Sequence, residues 1–293
     1  MLYYMRNNLK GYYYALLSAL LFGASIPVTK YFLVVVDPWI LASLLYLGSA
    51  LGLSVVFIFR KFVLKTKAYS KIKSNVWKWV AVSSILGGII GPALLLCGLS
   101  KTSASTASLL LSFENVFTVV VAWLIFKEKT DKRTTFGICL IILGSVVLAF
   151  NNSLNFNNLL GLSLITVACL CWAFEHNIIR KIATEDPVIL ALIKSLVAGV
   201  TNTLLGLMVG GAFPSQLKII VEVGFVGMIS YAVSMLFFIS ALRYIGAMKT
   251  GACCAFTPLV GVCLAVLWLG EPVPLQLIIA GLLMTAGILL HFF

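Results

Sequence analysis

Acidic side chains are scarce in this chain. Nine Asp and Glu occur among 293 residues, charged residues of both signs make up 10%, and there are two histidines. A soluble domain carries about 25% charged residues, so there is too little polar surface here to cover a globule in water. A polar block large enough to fold alone is missing as well, because apolar stretches recur from residue 11 to residue 293. Hydrophobic residues make up 61% of the chain and the mean hydropathy is +1.10. The solvent that suits this sequence is lipid.

Catalytic signatures are absent too. There is no Gly-rich phosphate loop, no H-E-x-x-H, no Cys/His metal cluster and no G-x-S-x-G. An intramembrane acid protease needs two carboxylates that share a site, and the spacing of Glu114 and Glu175 does not specify one. No enzyme, cofactor or metal is expected. The seven cysteines all fall in apolar segments, where they act as small packers. Cys169 and Cys171, two apart, point to different helix faces and make a poor metal pair. No ATPase module is present, so any active transport has to run on an ion gradient or on exchange.

A bilayer core of about 30 Å needs roughly 20 apolar residues per helix. Cutting at charged or Pro/Asn-rich breaks gives ten segments: 11–34, 39–60, 77–98, 103–126, 134–150, 159–182, 188–210, 219–241, 246–269 and 273–292. The apolar runs do not alternate as barrel strands do. The fold class expected is an all-α polytopic membrane protein of ten transmembrane helices.

The formal charge of +12 points to nucleic acid until its placement is read. Arg6 and Lys10 precede the first segment, and Arg60, Lys61, Lys65, Lys67, Lys71, Lys73 and Lys78 cluster between the second and third. Lys127, Lys129, Lys132, Arg133, Arg180, Lys181, Arg243 and Lys249 follow at alternate junctions. The opposite junctions hold only Lys30, Lys101 and Lys218. That is the positive-inside asymmetry. It predicts both termini on the cytoplasmic side of a cell membrane, of the bacterial inner-membrane type, and no nucleic-acid partner. The N-terminal segment imitates a cleavable signal, but its repeat counterpart argues that it stays.

The chain aligns with itself. Residues 11–31 lie over 161–181 at an offset of 150, placing Phe22 on Trp172 and Lys30 on Arg180. Residues 104–144 lie over 247–287 at an offset of 143, matching Phe113 to Phe256, Glu128 to Glu271 and Gly144 to Gly287. Two domains are expected, residues 1–150 and 151–293, with five helices each. An odd number of helices per half forces opposite orientations, and inverted repeats are a transporter signature with the substrate near the midplane.

Four stretches carry a family resemblance along nearly the whole chain: GPALLLCGLSKTSASTASLLLSFENVFTVVVAWLIFKEK, WAFEHNIIRKIATEDP, ALIKSLVAGVTN and ALRYIGAMKTGACCAFTPLVGVCLAVLWLGE. The chain resembles the EamA-type carriers of the drug/metabolite transporter superfamily. The apolar endings before Glu128 and Glu271 are typical of both family repeats. The resemblance implies a ten-helix fold and export or exchange of small metabolites. One departure is Asn115, where the family often has Pro in the fourth helix; Pro258 is kept in the ninth.

An ionisable side chain at bilayer depth costs about 2.5–3.5 kcal/mol on insertion scales, so each one needs a reason. Glu114 falls midway along 103–126 on a stripe with Ser103, Ala107 and Thr118, as a cavity wall would; interhelical glue is the alternative. Trp172, Glu175, His176 and Asn177 share the sixth segment, and Lys194 and Asn202 the seventh. Asp186 and Pro187 suit the N-cap and first position of the seventh helix. The short connection then brings Glu175 and Lys194 to one depth, where an ion pair offsets the cost of both. His176 relays protons or packs; Trp172 stacks on a substrate or packs. The candidate path is therefore Glu114, Asn115, Thr118, Trp172, Glu175, His176, Asn177, Lys194 and Asn202.

The leading expectation is a secondary carrier of amino-acid-like or other small organic molecules, proton-coupled through Glu114. A passive exchanger, a membrane scaffold and a lipid-handling enzyme stay open, as do monomer and homodimer. The partners expected are the substrate, the bilayer and protons.

Overall fold

The computed structural model describes residues 2–62, 73–126, 132–151, 156–182, 185–254 and 256–292. Most of the two basic junctions around 63–72 and 127–131 therefore lies outside the described residues, Glu128 included. The described chain is helical, with no strand among the described residues. The helices are α1 (Leu2–Phe32), α2 (Pro38–Phe62), α3 (Trp77–Ser83), α4 (Gly91–Leu99), α5 (Ala104–Leu110), α6 (Ser112–Phe126) and α7 (Lys132–Asn151). They continue with α8 (Phe156–Ile182), α9 (Pro187–Met208), α10 (Leu217–Val226), α11 (Ser234–Cys254), α12 (Thr257–Leu269) and α13 (Leu275–Phe292).

Six helical stretches among the described residues are long and apolar enough to cross a membrane: Leu9–Phe32, Pro38–Phe62, Trp77–Leu99, Asn158–Ile179, Pro187–Met208 and Leu217–Ile245. Thr135–Val147, Thr257–Leu269 and Leu275–Leu290 are apolar but shorter. Leu51, Leu124, Leu204, Val221, Leu267 and Leu282 stand exposed around the outside. Side chains of this kind face lipid without cost, while the helices satisfy their own backbone groups.

Two segments are π-helical, Ser84–Ile90 between α3 and α4 and Gly227–Val233 between α10 and α11. Residue 84 maps to 227 and residue 90 to 233, again at an offset of 143. The repeat thus extends into SILGGII and GMISYAV, where sequence identity is slight.

The outer helix pair repeats the symmetry at atomic scale. A Cβ on Gly144 would meet Ala280 O at 3.0 Å and Met284 Cγ at 2.7 Å. A Cβ on Gly287 would meet Gly137 O at 2.5 Å and Ile141 Cγ1 at 2.9 Å. Residues 137, 141 and 144 map to 280, 284 and 287, so α7 and α13 cross by the same contact taken twice. Elsewhere each half packs on the other: α1 on α11 and α12, α8 on α4 and α6, and α2 on α9. Small residues let the backbones approach this closely in lipid.

Two expectations need correction. The fourth segment, read as one helix over 103–126, is broken at Leu111, where Glu114 N–H donates to Leu111 O at 3.0 Å in a 3₁₀-type turn. The eighth segment, read as ending at 241, stays helical to Cys254. Residues 242–247 contain no proline to stop a helix, and Pro258 sits in the first turn of α12, where proline is tolerated. The chain still reverses between Ile245 and Thr257. Tyr231 meets Phe22, Phe237 meets Tyr14 and Ile245 meets Gly11. Thr257 then packs at Gly23 and Trp268 at Tyr31. Both breaks occupy corresponding places in the two halves.

Candidate functional site

A cavity of about 150 Å³ lies between the halves. Leu111, Glu114 and Asn115 border it from one helix break, and Cys254, Thr257 and Pro258 from the other. Discontinuous helices meeting at the repeat interface are where transporters of this architecture place their substrates.

One helix carries most of the charge. Glu175 and His176 are neighbours on α8, about 100° apart around the axis, so they serve different partners. Lys194 Nζ of α9 donates to Glu175 Oε1, and Ser83 Oγ of α3 donates to the same oxygen at 3.1 Å. The two charged side chains are only 2% and 10% exposed. On the other side His176 Nδ1 lies 3.1 Å from Glu114 Oε1, with side-chain exposures of 30% and 20%. His176 also lies against the Phe238 ring, centroids 5.2 Å apart.

The π-helical segment Ser84–Ile90 makes room for the buried pair. A Cβ on Gly87 would lie 1.4 Å from Glu175 Oε2, so the carboxylate occupies the space that glycine leaves. A π-bulge also shifts the hydrogen-bond ladder and leaves carbonyls for other donors. Gly87 O accepts from Tyr46 Oη at 2.9 Å and from Trp172 Nε1 at 3.3 Å. Gly88 O accepts from Asn202 Nδ2 at 3.1 Å. Side chains of α2, α8 and α9 thereby converge on one segment.

Aromatic rings form the rest of the wall. Phe22 stands edge-to-face with Trp172 at 6.1 Å and with Tyr231 at 6.0 Å, and Tyr46 with Tyr231 at 5.3 Å. Phe22 and Trp172 are the residues that the repeat superposes, and they meet across the interface. Such pairs contribute about 0.5–1.5 kcal/mol beyond their area. Ser49 and Ser195, from α2 and α9, bridge at 3.0 Å beside them.

Of the nine candidate residues, Glu114, Asn115, Trp172, Glu175, His176 and Lys194 border the cavity. Thr118, Asn177 and Asn202 do not. Thr118 Oγ1 donates to Glu114 O at 2.6 Å, Asn177 Nδ2 to Ala173 O at 2.9 Å and Thr118 O at 3.3 Å, and Asn202 to Gly88 O. These three hold helix backbones. The proposed polar stripe dissolves as well: Ser103 caps α5 by accepting from Thr106 N–H at 3.1 Å, and Ala107 is buried. Glu114 is not at mid-helix but in the first turn of α6, where the helix dipole favours a negative charge. His176 is not a lone histidine, since Glu114 is its partner.

Sequence reasoning missed Tyr46, Tyr231, Phe238 and the serines Ser18, Ser49, Ser195 and Ser234, all of which border the cavity. The offset of 143, carried upstream, would have paired Tyr231 with Gly88 and flagged its segment. No comparable signal marks the serines. Among the described residues no group of His, Cys, Asp and Glu is arranged to hold a metal ion.

Comparison with known proteins follows the repeat. The profile described as "EamA-like transporter family" matches residues 9–150 and again 159–293. An "uncharacterized transporter" of Methanothermobacter thermautotrophicus is 28% identical over 303 aligned positions, covering 99% of this chain and 88% of that relative. The "uncharacterized transporter YyaM" of Bacillus subtilis is 25% identical, covering 91% and 88%. A crystal structure at 14% identity superposes with a TM-score of 0.71 over 97% of this chain and 95% of its own, a likeness of fold alone.

Proposed function

This chain belongs to the EamA-like transporter family, and from that premise we propose that it is a ten-helix secondary carrier that moves small organic molecules through the cavity between its halves, coupled to protons at Glu114 and His176. It is a multi-pass membrane transporter rather than an enzyme. The proposal concerns what it carries, how many times it crosses, and what drives it. The reading of ten crossings rests on the apolar segments, that of residues 1–150 and 151–293 as the two halves on the repeat, and that of cytoplasmic termini on the placement of the basic residues. The observation that carries the functional reading is that one cavity touches both helix breaks and both charge pairs. An aromatic wall suits an apolar or aromatic body, and paired charges suit an ionisable end. Amino-acid-like metabolites have both.

Coupling needs a group that exchanges a proton with water while the substrate is away. The Glu114–His176 pair is the more open of the two and lies at a helix break, where a small movement changes its access. Export or exchange against protons is the expected direction. The test has two stages. Thermal melts of the purified carrier against a panel of amino acids, amines and small acids should find ligands that stabilise it, as binding to the folded state must. Flux of those ligands in proteoliposomes should then respond to an imposed pH gradient. Saturable flux indifferent to the gradient would leave a passive exchanger, and absence of any stabilising ligand or flux would count against a carrier of such molecules.

A further inference from the structure

Glu271 is the one acidic residue of the repeated motif within the described residues, and the cavity makes no use of it. Its placement is specific. Gly270 ends α12 in a left-handed conformation, φ +67°, as C-terminal glycines commonly do, and Glu271 N–H reaches back to Ala265 O at 3.3 Å. This stop turns the following side chain across to the first half. Glu271 Oε1 accepts from Ala104 N–H at 2.7 Å and Oε2 from Ser105 N–H at 2.8 Å. The carboxylate of one repeat thereby closes the helix start of the other, where negative charge is favoured.

Lys30 holds the same loop from its other side. Its Nζ donates to Leu99 O, at the end of α4, and to Thr102 O, both at 2.7 Å. The four-residue connection Ser100–Ser103 is therefore clamped by a cation from α1 and an anion from beyond α12. Beneath it Ile26, Leu95, Leu96, Leu99, Ala107 and Leu110 are fully or nearly fully buried. The cavity reaches Phe22 and Leu111 but none of these residues. On this face the path is shut by an apolar seal under a polar clamp.

We propose that Glu271, with Lys30, is the latch that keeps this face of the carrier closed, and that opening to this face requires the carboxylate to leave the Ala104 and Ser105 N–H groups. Glu271 is then a positioning residue of the transport cycle and has no contact with substrate. The inference rests on the chain being a transporter; it is independent of the substrate and of proton coupling. The geometry explains why a latch is suited to the place. Both clamping groups make charge-assisted bonds to backbone atoms of a short connection, so releasing them exposes no uncompensated side-chain pair. The freed N–H groups of α5 and the freed carbonyls of Leu99 and Thr102 lie at or beside helix ends, which water satisfies readily.

The test reads access from that face without any substrate. Ala107→Cys places a near-isosteric thiol inside the seal, and a membrane-impermeant methanethiosulfonate reagent added to sided vesicles reports its exposure by site-resolved mass spectrometry. With Glu271 intact the thiol should react slowly. Glu271→Gln keeps the shape but sets an amide NH₂ against a backbone N–H, and should speed labelling from this face by about tenfold, the shift expected from losing one charge-assisted bond. Ala104→Pro removes one donor at the first helical position, where proline is tolerated, and should act alike with Glu271 untouched. It decides the matter should the Gln variant fail to fold. A second thiol, Ala191→Cys, lies in a separate buried cluster with Leu53 and Ala232 and should not change. Unchanged labelling of Ala107→Cys in both variants would overturn the latch. An equal rise at Ala191→Cys would mark general loosening and overturn it too. Because no flux is measured, a failure here is distinct from a failure of the carrier reading.

Discussion

Two charge pairs sit one residue apart on α8 and live in different surroundings. Glu175 and Lys194 are almost fully buried in the cavity wall, Glu175 also accepts from Ser83, and its carboxylate fills the space beside Gly87. Glu114 and His176 are several times more exposed, and both residues border the cavity beside a helix break. The first pair has many constraints; the second has one close partner and greater exposure at the cavity. The comparison separates architecture from chemistry within a single turn of helix. A polar residue in a membrane protein is not functional merely because it is costly.

The comparison breaks first at the buried pair. Glu175→Gln alone strands Lys194 and should destabilise the protein by about 3–5 kcal/mol, whereas Glu175→Gln with Lys194→Met should recover most of that loss. Denaturation in mild detergent, followed by Trp fluorescence, measures both; simple additivity would mean that the pair is not a unit. Gly87→Ala should mimic the single mutant, because its methyl lands on the carboxylate. At the open pair Glu114→Gln should cost about 1 kcal/mol or less, since a half-open ion pair is worth little and a neutral amide still meets His176. Equal losses at Glu114 and Glu175 would erase the distinction between the pairs. The smallest effect belongs to Lys218 and Glu222, an i,i+4 pair with 3.8 Å between charges and side chains 81% and 45% exposed. Glu222→Gln should leave the melting temperature unchanged, and a measurable drop would show that exposure is a poor guide here.

These regions also show what sequence can and cannot disclose. The buried pair was legible because helix periodicity and a short connection place residues 175 and 194 at one depth. Asp186 caps α9 as expected, accepting from Val188 N–H at 2.8 Å. The repeat was legible for the same reason: periodic patterns survive when identities do not. The Glu114–His176 contact was not, because it joins α6 to α8 across 62 residues of chain and depends on the break at Leu111. Nothing in TASLLLSFENV announces that break; it contains neither glycine nor proline. The aromatic wall was hidden similarly, since Tyr46 and Tyr231 acquire meaning only when α2 and the second π-helical segment are brought together. Their rings read as ordinary apolar residues of a membrane helix.

The central claim, that Glu114 and His176 exchange the proton that drives transport, has one direct test. Wild-type and Glu114→Gln carriers are reconstituted in vesicles that enclose a pH-sensitive dye, and a ligand found by thermal stabilisation is added outside. The wild type should move protons when substrate is added. The Gln variant should exchange labelled substrate at a similar rate and move no protons. Substrate-evoked proton movement that persists at wild-type size in Glu114→Gln would contradict the account and place the coupling elsewhere.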